Sequence, residues 1–129
     1  RPALDAVSMP ERKAFEAAGA YYSTLFHELG HSTGHSTRLR RKGVVDFDGF
    51  GSHQYSHEEL VAEFTACFLC ADAGIEDTRQ NSAAYLKGWI SVLKGDKKLV
   101  VMAASQAAKA AKLIRDKGVP AKAYEAKSA

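Results

Sequence analysis

The stretch Thr24-Leu25-Phe26-His27-Glu28-Leu29-Gly30-His31 decides how the rest of the 129-residue chain is read. Phe15, Ala18, Tyr22, Leu25, Phe26 and Leu29 recur at helical steps through it, so a helix is expected from Glu11 to about Gly34, with Gly19 as the place where it divides. Four residues advance a helix by about 400°, a little over one turn, so His27 and His31 share a face and can hold one ion between them. Glu28 stands about 100° round from His27, outside ligand reach but well placed to hydrogen-bond a water on that ion. The residue types suit the chemistry. Neutral imidazoles leave the charge of zinc intact, the ion acidifies its water, and a carboxylate takes the proton.

A catalytic zinc typically has three protein ligands and one water, so a third donor is needed. His35 is a poor one: Gly34 is expected to end the helix, and on a continued helix His35 would lie about 12 Å from His27. His31-Ser32-Thr33-Gly34 begins the metzincin pattern H-E-x-x-H-x-x-G-x-x-H, but Thr37 stands where its third histidine belongs. The remaining donors are the carboxylates of a second helix, Glu58, Glu59 and Glu63. A helix N-terminus attracts carboxylates, and Ser56-x-x-Glu59 has the form of a capping box, which accounts for Glu58 and Glu59. It does not account for Glu63, set among Leu60, Val61, Phe64 and Cys67, where burying an unpaired carboxylate is unfavourable.

Elsewhere, Leu4, Ala6 and Val7 suit one short strand, and Val44-Val45 a second within the long loop from Ser36 to Tyr55. Ser56 is expected to cap the helix His57 to Ala73, closed near Gly74. Asn81 or Ser82 opens another, Ala83 to Leu93, ended by Gly95-Asp96. An alanine-rich helix, read as simple helix propensity, runs from about Lys97 to Lys117 before Gly118 and Pro120, after which the chain is expected to fray. The fold class is thus α+β, predominantly helical, with a small edge sheet and a pair of helices at the site, residues 1–129 forming one domain.

Glu59, Ala62 and Glu63 resemble the gluzincin arrangement and the ImmA/IrrE group of metallopeptidases, in which a ligand Glu is followed by an alanine three on and an acidic or amide residue four on. The resemblance implies Glu59 as the metal ligand and Glu63 as hydrogen-bond partner of a ligand histidine, the exchange of the two roles being the alternative. Tyr21-Tyr22, Thr24 to His31, Thr33-Gly34-His35, Arg38-Leu39 and Glu58 to Glu63, in that order, look like the C-terminal metallopeptidase domain of ArdC-type antirestriction proteins, from near Asp5 through Leu93. Ser32 departs from the tryptophan frequent in relatives. This resemblance implies a zincin-like fold and Zn2+. It also implies a plasmid- or phage-borne protein in which a domain binding single-stranded DNA precedes this one.

The 18 basic and 15 acidic side chains leave a net charge of +3, which a solvated surface carries without nucleic acid, and Arg38, Arg40, Arg41 and Lys42 read as a solvated loop. No run of roughly 18 apolar residues and no secretory pattern is present, so the expected setting is cytoplasmic, with no membrane partner. Cys67 and Cys70 lack the second pair a four-thiolate site needs and read as buried structural thiols. Tyr55 is a candidate donor to an oxyanion, or a packing residue; His53 and His57 beside it read as solvated. Tyr85 and Trp89 read as core. The Gly43 to Gly51 loop lacks the order of a phosphate loop and reads as a substrate-facing flap.

Two function classes lead, with nucleic-acid binding by this domain through Arg38 to Lys42, which predicts a steep salt dependence, as a third. In one, His27, His31 and Glu59 bind zinc, Glu28 activates water and Tyr55 assists in cutting a peptide or protein substrate. In the other, the same ligands stabilise a non-catalytic module that blocks a restriction enzyme or another partner. No oligomeric state follows from the sequence.

Overall fold

The structure, a computed structural model, describes residues 1–46 and 49–118. The helices are α1 (Ala18–Ser32), α2 (Lys42–Val45), α3 (His53–Ala73), α4 (Arg79–Val92) and α5 (Lys97–Gly118), preceded by two short 3-10 turns, Pro2–Leu4 and Arg12–Ala14. Helix α3 is the axis of the molecule, packed by α1, α2, α4 and α5. Its sequence suits that place: Leu60, Val61, Ala62, Ala66 and Leu69 are buried around much of its circumference, as in a helix enclosed by others.

The core joins Leu60 and Val61 to Leu93 and to Ala103 and Ala107 of α5, with Phe64, Phe68, Leu86, Trp89, Ile90, Leu99 and Val100 packed around them. Alanine on α5 is more than helix propensity. Ala103, Ala107, Ala110 and Ala111 form one buried stripe that lets the backbone of α5 come close to α3, while Val101 and Met102 face outward. On the opposite side, α1 meets α3 at Gly30. A Cβ there would lie 3.2 Å from the Ala62 Cα and 3.2 Å from the Thr65 Cβ, so glycine sets how near the two helices stand.

Predominantly helical architecture is as expected; the small edge sheet is not found, since no strand occurs among the described residues. Both segments instead make local turn bonds. Leu4 N–H donates to Arg1 O, and Val44 and Val45 N–H both donate to Arg41 O in the single turn of α2. The first long helix divides at Phe15 to Ala17, both extended, and not at Gly19. Gly19 lies inside α1, where a Cβ would collide with the Asp77 carboxylate at 2.2 Å.

Helix α3 starts four residues earlier than its sequence suggests. Ser52, not Ser56, is the cap: its Oγ accepts from Tyr55 N–H at 3.0 Å, while buried Ser56 donates to Ser52 O. The Ser56-Glu59 capping box therefore does not form, and Glu58 and Glu59 sit in the second turn, facing α1. Helix α4 likewise begins at Arg79 after Thr78. Gly74 closes α3 at φ 71°, and α5 starts at Lys97, with Asp96 Oδ1 accepting from Lys98 and Leu99 N–H, as expected. The expected stop at Pro120 and the tail beyond it lie outside the described residues, as do residues 47 and 48 of the expected flap.

Candidate metal centre

The helical period of α1 stacks His27 over His31, with ring centroids 4.8 Å apart. Because Gly30 lets α3 approach, the Glu59 carboxylate bridges the two rings. Its Oε2 is 3.2 Å from His27 Nε2 and its Oε1 3.1 Å from His31 Nε2, and the two Nε2 atoms are 3.2 Å apart. The two contacts use different carboxylate oxygens; with one donor atom taken from each residue, the atoms of the His27, His31 and Glu59 triangle all lie within 4.8 Å of one another, close enough to converge on one ion. His27, His31 and Glu59 are the group among the described residues able to hold a metal ion.

Both rings turn Nε2 inward because Nδ1 is engaged outside. His27 Nδ1 meets Glu63 Oε2 at 2.9 Å, and His31 Nδ1 meets Glu58 Oε1 at 3.2 Å. Carboxylates at Nδ1 favour the tautomer that leaves the Nε2 lone pair for a metal. The imidazoles and carboxylates of the group also shift one another's protonation. Burial alone would push His27 down, but Glu59 and Glu63 outweigh it and raise its pKa to about 9. Burial would likewise raise Glu59, and its bonds to His27 and His31 bring it down to about 2. His31 is raised against burial by Glu58 and Glu59.

Open space flanks the triangle. A cavity of about 490 Å³ on the His31 side is lined by Pro2, Ala6, Val7, Val44 and Phe50, and one of about 470 Å³ on the His27 side by Ser23, Thr24, Asn81, Tyr85 and Trp89. Glu28, Tyr55 and Glu59 border both. Tyr55 packs edge-on against Phe50 and Trp89, and burial together with the nearby Glu59 charge raises its phenol above the ordinary range. Trp89, read from sequence as core, packs against the core and also walls this cleft, whereas Tyr85, read the same way, is 61% exposed and belongs to the cleft wall and not to the core.

The zincin-like metallopeptidase family, MPTase-PolyVal, matches residues 1–106. The chain belongs to that family. Among relatives of this zincin-like domain, the uncharacterised protein y4eC of Sinorhizobium fredii is 39% identical over 109 residues, covering 83% of this chain and 34% of y4eC. The DNA primase TraC of Escherichia coli is 39% identical over 109 residues, covering 84% of this chain and 7% of the primase. The chain therefore spans about a third of y4eC and under a tenth of the primase. The crystal structure of the antirestriction protein ArdC from the R388 plasmid, Mn(II)-bound, matches with TM-score 0.70 and 44% identity, over 90% of this chain and 42% of ArdC. The metal-free ArdC structure matches with TM-score 0.66 at the same identity, over 90% of this chain and 41% of ArdC.

The structure brings together His27, Glu28, His31, Tyr55, Glu59 and Glu63, every site residue expected from sequence. His35 stays apart, its Nδ1 engaged with Thr37 Oγ1 at 2.9 Å in the turn after α1. Sequence reasoning missed Glu58, assigned to a helix N-terminus, and Arg41, assigned to a solvated loop. Arg41 is only 6% exposed and holds Glu58 by two bonds. Gly34 and Gly43 clear room for that pair, a role that shows only once the fold sets them against Arg41 and Glu58. Of the other basic residues, Arg38 binds both carboxylate oxygens of Asp5 and so pins the N-terminal segment along the cleft. Cys67 and Cys70 are free thiols on α3.

Proposed function

We propose that this domain is a zinc-dependent peptidase that hydrolyses a peptide or protein substrate, as part of an antirestriction-type protein of a plasmid or phage acting in the cytoplasm. The observation carrying the proposal is the triangle of His27, His31 and Glu59 with Glu28 and open cavities beside it, three donors and room for water and substrate. Among the described residues no helix is long and apolar enough to cross a membrane.

Bound zinc would supply an acidified water and a polarised carbonyl. The residues of the chain do the rest. Glu28 accepts the proton of that water and returns it to the departing amine. Tyr55, at the border of both cavities, donates its O–H toward the carbonyl oxygen as negative charge develops there. The two cavities receive the substrate on either side of the cut bond. Glu63 and Glu58 hold the imidazoles in the ligand tautomer. In the full-length protein a preceding domain would bring single-stranded DNA, as the ArdC resemblance implies.

The second reading is a metal-stabilised module that blocks a restriction enzyme without cutting it, and the antirestriction name of ArdC favours it. The match of this chain to both Mn(II)-bound and metal-free ArdC argues against a metal needed only for folding. Glu28→Gln separates the readings. Hydrolysis of a mixed peptide pool by the zinc-loaded domain is expected to fall roughly 10²- to 10⁴-fold with zinc still bound. Absence of metal-dependent cleavage in the parent, with partner blocking intact in both forms, would support the module instead.

A further inference from the structure

We infer that Arg41, acting through Glu58, is a positioning residue for His31, so that the metal triangle rests on a cationic anchor outside the ligand set. The proposal rests on the metal-binding part of the reading above and not on hydrolysis.

The guanidinium makes four directed bonds from a buried position. Nε donates to Glu58 Oε2 at 2.8 Å and Nη2 to Glu58 Oε1 at 2.7 Å, a two-point grip that fixes the carboxylate plane. Nη2 also donates to Gly30 O at 2.7 Å, and Nη1 to Thr33 Oγ1 at 2.8 Å. Thr33 in turn donates to Gly30 O at 2.6 Å. One cation thus holds both determinants of where His31 Nε2 points: the α1 backbone just before the residue, and the Glu58 Oε1 that its Nδ1 meets at 3.2 Å.

The surroundings are shaped for the pair. A Cβ on Gly34 would lie 2.9 Å from Arg41 Nη2, and one on Gly43 2.6 Å from the Glu58 Cβ. Both positions need glycine to leave room. Buried ion pairs rarely add net stability over apolar residues of the same volume, so stability alone is a weak reason for burying this one. A carboxylate aimed at the outer nitrogen of a metal-site histidine supplies a better one, because such partners orient the ring and tune the ligand. The His27 arm differs. There Nδ1 meets Glu63 Oε2 at 2.9 Å, with no guanidinium grip on Glu63 among the described residues.

The test measures zinc affinity of the purified chain by competition with a chromophoric chelator, together with the visible spectrum of the Co(II)-loaded form. Glu58→Gln and Arg41→Lys are expected to weaken zinc about 10- to 100-fold and to change the Co(II) spectrum, with helical circular dichroism retained. Lysine keeps the charge but not the two-point grip, so a purely structural cation would leave both readouts unchanged. Thr33→Val is expected to show a smaller loss and Thr33→Ser to restore parent behaviour. Should Arg41→Lys not fold, Glu58→Gln and the Thr33 pair decide. Parent affinity and spectrum in Glu58→Gln and Thr33→Val overturn the proposal. A variant that loses zinc while the parent cuts no peptide supports the anchor and counts against the peptidase. A parent that binds neither zinc nor Mn(II) overturns both.

Discussion

Helix α3 has two faces of opposite chemistry. Toward α1 it offers Glu58, Glu59 and Glu63, met by His27, His31 and Arg41 across a contact made close by Gly30. Toward α5 it offers Leu60 and Val61, met by the alanine stripe of Ala103 and Ala107. The polar face depends on charge, direction and the ion it is built to hold, whereas the apolar face depends on volume. One helix thus joins a chemical site to a packed support, and each face should respond to its own kind of perturbation.

Leu60→Ala attacks the apolar face. It should lower unfolding stability by ~2–5 kcal/mol in a denaturant titration, while the folded fraction keeps parent metal affinity. A large loss of affinity would erase the distinction between the faces. Gly30→Ala attacks the polar face by volume. Its Cβ, 3.2 Å from the Ala62 Cα and the Thr65 Cβ, requires the contact to give by a few tenths of an ångström, so metal affinity should fall, while the ~1 kcal/mol that alanine gains in helix propensity offsets part of the packing cost.

Protons should act on the polar face alone. The raised His27 pKa means that metal-free protein holds a proton there until about pH 9, and a metal must displace it. Zinc affinity should therefore rise roughly tenfold per pH unit between the ordinary imidazole range and about 9. In the metal-free chain the sign is reversed: the contribution of His27 to stability is full below about 6.5 and lost as the pH rises through about 9. Thermal scans with and without zinc across that window check both. The smallest effect is expected at Asp72→Asn, which removes the exposed pair with Arg115 between α3 and α5 and should change stability by ~0–1 kcal/mol, with no effect on metal.

The polar face was the more legible of the two at its centre and the less legible at its edge. His27, Glu28 and His31 could be placed because four residues on a helix have one geometry, whatever else the fold does. Glu59 and Glu63 required the family pattern, since three carboxylates within six residues are equivalent until a second helix is docked. Arg41 was illegible because a run of basic residues in a loop ordinarily meets water, and only the fold reveals that Gly34 and Gly43 open a place for it. The strand expected at Val44-Val45 failed for the same reason. β-Branched propensity is weak against tertiary contact, and Gly43 pressed on Glu58 turns the segment into one helical turn. Ser52 and Ser56 were both acceptable caps, and burial of Ser56 decided between them.

The central claim is that His27, His31 and Glu59 form the metal site and that Glu63 supports it from outside. Metal analysis and zinc affinity of the parent, Glu59→Ala and Glu63→Ala proteins test this most directly. One zinc per parent chain, near-complete loss in Glu59→Ala and retention with affinity weakened about 10- to 100-fold in Glu63→Ala are the results expected. Parent affinity in Glu59→Ala, or loss in Glu63→Ala with retention in Glu59→Ala, would contradict the account.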